Sequence, residues 1–244
     1  MNLAIIAAVV RRPDSLMTVS YFGLIPAAGA GARFGGETPK QYLELHGRPL
    51  LWHAVRALAA DDRVETIYVV LASDDERFVC CDWSTFGERL APLFCGGPSR
   101  AASVRNGLAA ASDLVDLDDW MLVHDAARPC LAATDLARLI DTLAGDTVGG
   151  LLAVPVADTL KRAGPDDRVI ATEPREGLWR AQTPQMFRHG TLLRALEAAG
   201  EVTDEAAAVE KLGLKPRLVA GSAGNVKVTY PEDLVLAAAF LARA

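Results

Sequence analysis

The sequence is short of the residues on which several function classes depend. Its four cysteines, Cys80, Cys81, Cys95 and Cys130, form no Cys-x-x-Cys pair, and four histidines add no zinc-type ligand spacing. A disulfide framework is equally unsupported, so reduced thiols in a cytoplasmic setting are expected. Basic residues are outnumbered, 25 Lys and Arg against 31 Asp and Glu, for a net charge of −6. That balance excludes a generic binder of nucleic acid or of an acidic membrane surface, which needs a basic excess. Any anionic ligand must therefore be held by a few placed cations. The apolar N-terminal run Met1–Val10 is too short to span a bilayer. Its first basic residues, Arg11 and Arg12, follow that run, whereas a signal peptide carries them before it. Residues 1–20 read as a peripheral extension, with Met17 as an alternative start. No internal repeat or low-complexity tract is present.

What is there is ordinary globular composition, 51% hydrophobic and 23% charged over 244 residues. A chain of this length buries roughly 70–75% of the surface its unfolded form exposes, enough for a core without disulfides or a structural metal. From Tyr21 onward, short apolar runs alternate with helical patterns. Phe22–Pro26 reads as a strand leading into a glycine-rich loop. Pro49 opens a helix with Leu50, Leu51, Ala54, Val55 and Leu58 at helical spacing. Thr66–Ala72, Leu93–Cys95, Trp120–His124 and Val148–Val154 read as strands, the first buried on both faces as parallel strands are. Ser99–Ala111 and Thr134–Leu143 read as helices, and Asp74 and Asp75 as caps of another. The alternation predicts an α/β fold, a three-layer, mostly parallel twisted sheet with helices on both faces. Ligands in such sheets bind beyond the carboxyl ends of the strands.

Pro155–Arg180 breaks this rhythm, with three prolines, several charges and no helical period. Thr159–Ala163, a turn at Gly164–Asp167, and Val169–Ala171 predict a hairpin projecting from the body. Globular pattern resumes with Phe187–Ala199, a helix from about Thr203 to Leu212, a strand at Arg217–Ala220 and a helix from Pro231. One domain over residues 21–244, with an arm at about 155–180, is the expected organisation.

Four segments carry chemistry. Pro26-Ala27-Ala28-Gly29-Ala30-Gly31-Ala32-Arg33-Phe34 is followed by Pro39-Lys40-Gln41. Small residues there let backbone N–H groups approach a phosphate chain, and Arg33 and Lys40 add charge. It is neither a dinucleotide fingerprint, since Phe34 stands where glycine is needed, nor a P-loop, since Glu37 stands where lysine is needed. An ordinary strand–loop turn is the plain alternative, which the Arg33 and Lys40 pairing disfavours. Val123–Pro129 places Asp125 at a strand's end, where one carboxylate can hold Mg²⁺ while phosphates supply other ligands. A turn-capping aspartate is the alternative. Arg128 can reach a substrate phosphate or orient the loop, and His124, ending an apolar strand, reads as a hydrogen-bonded structural residue rather than a base. Gly96-Gly97-Pro98-Ser99 is a tight turn into a helix whose main chain can face a base edge, with Ser103 beside it. In Asn225-Val226-Lys227-Val228-Thr229, strand-like alternation turns Lys227 away from both valines and toward a cleft.

Together these segments resemble the 2-C-methyl-D-erythritol 4-phosphate cytidylyltransferases of isoprenoid-precursor synthesis. The resemblance is carried by Pro26–Phe34, Pro39-Lys40-Gln41, Gly96-Gly97 with Ser103-Val104, and His124–Pro129. Asp158–Arg162, Leu178–Gln185, Thr203–Ala206 and Asn225–Thr229 extend it, from about Phe22 to Arg243. It implies a fold of the nucleotide-diphospho-sugar transferase type, with an arm that clasps a second subunit. It implies transfer of a cytidylyl group from CTP to methylerythritol 4-phosphate, releasing pyrophosphate, with Mg²⁺ or another divalent cation. On the same footing, Arg33 and Lys40 bind the triphosphate, Asp125 the metal, and Lys227 the α-phosphate region. Pro26, Ala27, Ala28, Gly29, Gly31, Gly97 and Ser103 contact the nucleotide. Thr159 and Arg175 of the arm grip the methylerythritol phosphate, Arg128 lies near it, and Thr183 supports the arm.

Two departures stand out. Pro98 replaces a polar residue near the cytosine, which leaves only main-chain base contacts there, and Glu173-Pro174 precedes Arg175 where Val-Asp is frequent. A ribitol 5-phosphate cytidylyltransferase shares fold and chemistry, but Asp158-Thr159-x-Lys161-Arg162 and Pro26-Ala27-Ala28 favour the erythritol enzyme. A nucleotide-sensing subunit without turnover is the rival from another class, and intact Lys40, Asp125 and Lys227 argue against it. The length leaves no room for a fused cyclase domain, so a single activity is expected. No catalytic base is needed, because a phosphate monoester with a second pKa of about 6 is already anionic near neutral pH.

Overall fold

Alternate residues of the central strands face opposite cores, and this decides the layering. Leu24, Met121 and Leu151 pack on one face of the sheet, while their neighbours Ile25, Leu122 and Leu152 pack on the other. The computed structural model describes residues 19–29 and 38–242. In chain order the first half comprises β1 (Tyr21–Pro26), the two-residue strands β2 (Glu44–Leu45) and β3 (Arg48–Pro49), α1 (Leu50–Ala59), β4 (Val64–Val70), β5 (Leu90–Leu93), α2 (Arg100–Ala111) and β6 (Trp120–Val123). There follow α3 (Ala133–Leu143), β7 (Gly149–Pro155), β8 (Leu160–Ala163), β9 (Val169–Glu173) and β10 (Trp179–Arg188). The described chain ends with α4 (His189–Ala199), α5 (Glu205–Lys211), β11 (Arg217–Ala220) and α6 (Pro231–Leu241).

Seven strands form one sheet in the order β11-β7-β10-β6-β1-β4-β5. Only β10 runs antiparallel to its neighbours, β6 and β7; the other neighbouring pairs are parallel. Leu51, Val55 and Leu58 of α1 and Leu136, Leu139 and Ile140 of α3 cover one face. Val104 and Leu108 of α2, Leu192 and Leu196 of α4, and Val209 of α5 cover the other. The expected three-layer, mostly parallel α/β architecture is what the chain adopts. Helix α2 lies unusually close to the sheet because residue 107 is glycine: a Cβ there would stand 2.4 Å from Val70 Cγ2. Helix α6 packs through Ala237 on a smaller core with Leu45, Leu50 and Val228. None of the described helices is long and apolar enough to cross a membrane.

Three local expectations are corrected. Asp75 does cap, accepting from the backbone N–H groups of Arg77 and Phe78, but the turn it caps is a 3₁₀ turn at Phe78–Cys80 and not an α-helix. Residues 225–229 are an irregular extended segment rather than a strand, joined to the Asp125 loop by the Val228 N–H on Ala127 O at 2.8 Å. Strand β10 begins within the stretch read as non-periodic, and its buried Gln182, Thr183 and Gln185 disguise it as polar sequence. Strands β8 and β9 pair with each other and, among the described residues, with no other strand, in register Leu160↔Glu173 to Ala163↔Val169. Most of the N-terminal extension lies outside the described residues.

Candidate active site

The carboxyl ends of β1, β5 and β6 deliver three loops to one cleft of about 290 Å³. Its walls include Ala28, Gly97, Arg100, Asp125 and Lys227, with Lys40 at one side. Lys40 opens a 3₁₀ turn, and the next residue fixes that turn. The buried Gln41 amide donates to Ala27 O at 2.7 Å, pinning the Lys40 turn to the loop after β1.

Asp125 lies at the centre of the charge. Its Oδ1 accepts from Arg100 Nε at 2.9 Å, its Oδ2 pairs with Lys227 Nζ at 2.7 Å, and Arg128 Nε stands 3.7 Å away. Burial opposes the Asp125 charge, but Arg100, Lys227 and Arg128 outweigh it and hold the carboxyl far below the usual carboxylate range. Arg100 also grips Glu205 with both terminal nitrogens, at 2.6 and 3.1 Å. Burial pushes the Glu205 carboxyl above its ordinary value, with Arg100 opposing the shift. Sequence reasoning passed over Arg100 and gave Glu205 no role of its own. The signal available was the arginine one residue after the Gly97-Pro98-Ser99 turn and the glutamate of Thr203–Ala206. Their partnership spans 105 residues and no local pattern announces it.

His124 is structural, as its place in the sequence suggested. The Thr183 hydroxyl accepts from Asp125 N at 3.0 Å and donates to His124 Nδ1 at 2.9 Å. On the other side, His124 Nε2 donates to Arg128 O at 3.0 Å. Burial pushes this imidazole down to about 4, so it is neutral with both nitrogens occupied. Thr183 thus acts behind Asp125, not on the arm. Arg128 does not border the cleft: its Nη1 donates to Asn225 O at 2.6 Å and its Nη2 to Ala181 O at 3.4 Å. Asn225 in turn donates to Thr183 O at 2.8 Å. These bonds fix the 225–229 segment that carries Lys227.

The loop after β5 is braced internally. Ser103 Oγ donates to Ser99 O at 2.9 Å and accepts from Gly97 N at 3.1 Å, so its proton is committed to the loop. Ser99 caps α2 by accepting from Ala102 N at 3.2 Å. Gly96 lets this loop touch the one after β1, since a Cβ there would lie 2.3 Å from Ala28 Cβ. Pro26, Ala27, Ala28, Gly29, Gly97 and Ser103 all border the cleft. Arg33 and Gly31 lie outside the described residues. Thr159 and Arg175 are exposed beside the β8–β9 hairpin and do not border the cleft; Arg175 donates to Ala157 O.

The donor set suits a hard divalent cation that takes most of its ligands from water and substrate. Among the described residues, no three His, Cys, Asp or Glu side chains gather as a metal cage. One carboxylate on a cleft wall fits Mg²⁺, which keeps waters and takes substrate phosphates as ligands.

Residues 22–243 match the family described as 2-C-methyl-D-erythritol 4-phosphate cytidylyltransferase (IspD). A protein of that name from Dechloromonas aromatica (strain RCB) is 59% identical over 221 residues, covering 91% of this chain and 97% of its own. One from Azoarcus sp. (strain BH72) is 57% identical over 217 residues, covering 89% and 92%. The crystal structure of a 4-diphosphocytidyl-2C-methyl-D-erythritol synthase superposes with a TM-score of 0.82 at 42% identity, covering 93% of this chain and all of that one (100%). The chain belongs to the 2-C-methyl-D-erythritol 4-phosphate cytidylyltransferase family.

Proposed function

We propose that this chain transfers the cytidylyl group of CTP to 2-C-methyl-D-erythritol 4-phosphate. The products are 4-diphosphocytidyl-2-C-methyl-D-erythritol and pyrophosphate, in the non-mevalonate synthesis of isoprenoid precursors. The observation that carries this reading is a cleft lined by Lys40, Arg100 and Lys227, the last two paired with one carboxylate, in a chain of this family. A phosphate oxygen of methylerythritol phosphate attacks the α-phosphorus of CTP. The bond from that phosphorus to the α–β bridging oxygen breaks, and pyrophosphate leaves with the electron pair. No base takes part, because the attacking phosphate is already ionised, its second pKa being about 6. His124 suits that economy, with both ring nitrogens already bonded.

The chemical difficulty is the meeting of two anions and the charge gathering on the leaving group, which fixed cations relieve. Lys40 and Arg33 hold the triphosphate, and Lys227 faces the α-phosphate. Main-chain groups at Gly97 read the base, since Pro98 offers no polar side chain there. Asp125 would hold the divalent cation, which when bound adds charge between the phosphates. Pyrophosphate release from CTP with methylerythritol 4-phosphate, and none with ribitol 5-phosphate, is the expected result. Equal rates with the two acceptors would refute the acceptor assignment, and no release with either would refute catalysis.

The same reading makes the chain a cytoplasmic homodimer, each subunit lending its β8–β9 hairpin to the other's site. Val169 and Ile170 on the hairpin are largely exposed, and Thr159 and Arg175 lie away from their own chain's cleft. In a mixed dimer of Arg33→Ala and Arg175→Ala subunits, crossed sites leave one site with both lesions and one with neither. Mixing the two inactive variants by unfolding and reassembly should then restore about half of normal activity per mixed dimer. No recovery in verified mixed dimers would refute the shared site.

A further inference from the structure

Arg100 stands at the first residue of α2, where the helix dipole disfavours a cation, and it stays there in the company of two carboxylates. One of them is Asp125. The other, Glu205, has a side chain only 1% exposed and never reaches the cleft wall. A buried charge pair is a poor source of stability, since apolar residues of similar volume often serve as well. The geometry around Glu205 is nonetheless closely held. The Gln185 amide of β10 donates to Asp204 at 3.0 Å and accepts from Ala206 N at 2.8 Å, so Glu205 is clamped from both sides. Asp204 caps α5 on Ala207 N at 2.9 Å. Glu205 then takes one N–H from each of Arg100 Nη1 and Nη2, which turns the Nε edge of the guanidinium to Asp125 Oδ1.

We propose that Glu205 is a positioning residue for cytidylyl transfer, acting through Arg100 to fix the plane of the Asp125 carboxylate. With Oδ1 held by Arg100, Oδ2 is the oxygen turned to Lys227 and the cleft. Lys227 is 41% exposed and can exchange that oxygen for substrate phosphate. Glu205 therefore decides which oxygen of Asp125 is offered and in what direction. The proposal rests on the reading of this cleft as the cytidylyl-transfer site.

The test is a cycle between Glu205→Gln and Asp125→Asn, with kcat and KM measured by pyrophosphate release well below the melting temperature. Misplacing a reacting group by about 1 Å costs on the order of 10²-fold. Glu205→Gln is accordingly expected to lower kcat by about 10- to 100-fold while KM for CTP moves by less than about threefold. Added to Asp125→Asn, it is expected to cost less than about threefold more, because the group it acts through is already disabled. Lower melting temperature alone fits either a structural or a positioning role, so the cycle decides. Ligand-free crystals of Glu205→Gln are expected to show the Asp125 carboxylate turned from its present plane. An unchanged kcat, a full multiplicative loss in the Asp125→Asn background, or an unmoved Asp125 would each overturn the proposal. Should Glu205→Gln fail to fold, Glu205→Asp keeps the charge but shortens the reach, and carries the same cycle with the same outcomes. No pyrophosphate from the unaltered chain would remove the functional reading itself, and this proposal with it.

Discussion

Replacing Thr183 by valine keeps the shape of the side chain and deletes one hydroxyl, which makes it a sharp probe of how the Asp125 loop is held. The hydroxyl is buried and serves two groups, the backbone N–H of Asp125 at 3.0 Å and His124 Nδ1 at 2.9 Å. Neither can reach water once it is gone. A buried polar group left without its partner costs about 1–3 kcal/mol, so the pair should cost roughly 2–6 kcal/mol. In a domain of this size, 1 kcal/mol shifts the melting temperature by about 2–4 °C, which puts the midpoint of that range at ~8–16 °C. The same loss frees the Asp125 main chain to move, so kcat should fall as well, measured with CTP saturating. Thr183→Ser keeps the oxygen, and should recover more than half of both losses. Scanning calorimetry on the three proteins reads the first quantity and pyrophosphate release the second. Thr183→Val melting with the unaltered protein, or Thr183→Ser no better than valine, would show that the hydroxyl holds nothing.

Lys40→Ala is expected to lower kcat by roughly 10²–10³-fold, the scale of a lost transition-state charge partner, with the melting temperature unchanged; normal turnover at saturating CTP would remove Lys40 from the chemistry. Gly96→Ala forces a Cβ to within 2.3 Å of Ala28 Cβ and 2.7 Å of Leu71 O, so the two nucleotide loops must part. It should cost about 1–3 kcal/mol and raise KM for CTP, and steady-state kinetics showing KM unmoved would place those loops away from the nucleotide. His53 is buried, donates through Nε2 to Leu45 O, and has no partner at Nδ1 among the described residues. Burial, chiefly, lowers its pKa below 6.5, so the unfolded chain takes up a proton that the folded chain refuses. Its contribution is therefore whole above about pH 6.5 and shrinks as the pH falls below that value. Urea unfolding of the unaltered protein and of His53→Gln should show their stability gap narrowing between pH 7.5 and 5.5; a constant gap would refute it.

The layers of this fold were open to reading because both strand faces are apolar and period two sorts them without ambiguity. Leu24 and Ile25, or Leu151 and Leu152, are adjacent in sequence and buried in different cores. Strand β10 escaped the same reading for a physical reason. Gln182 donates to Ser222 O, Thr183 bridges Asp125 and His124, and Gln185 holds the start of α5. Each of these buried polar side chains bonds a distant partner, so the strand looks like surface sequence until those partners are known. Its polar residues are there to hold the loops that the apolar strands deliver.

The site divides along the same line. Charged residues that line the cleft from a loop, such as Lys40, Asp125 and Lys227, show themselves by charge beside glycine or at a strand's end. Residues that hold those groups in place do not, because their meaning is set by contacts across the chain. Arg100 illustrates it: as sequence it is one more cation after a turn, and in space it is the only side chain touching both Asp125 and Glu205 among the described ion pairs. The same contacts gather positive charge at one place in a chain of net charge −6, as the proposed triphosphate site requires. Arg100, Arg128 and Lys227 around Asp125 make a local cationic field, and Asp125 keeps those cations close together. On the proposed reading the carboxylate is as much a placeholder for the substrate as a ligand for the metal, and Asp125→Asn should loosen the cations before it touches the phosphates.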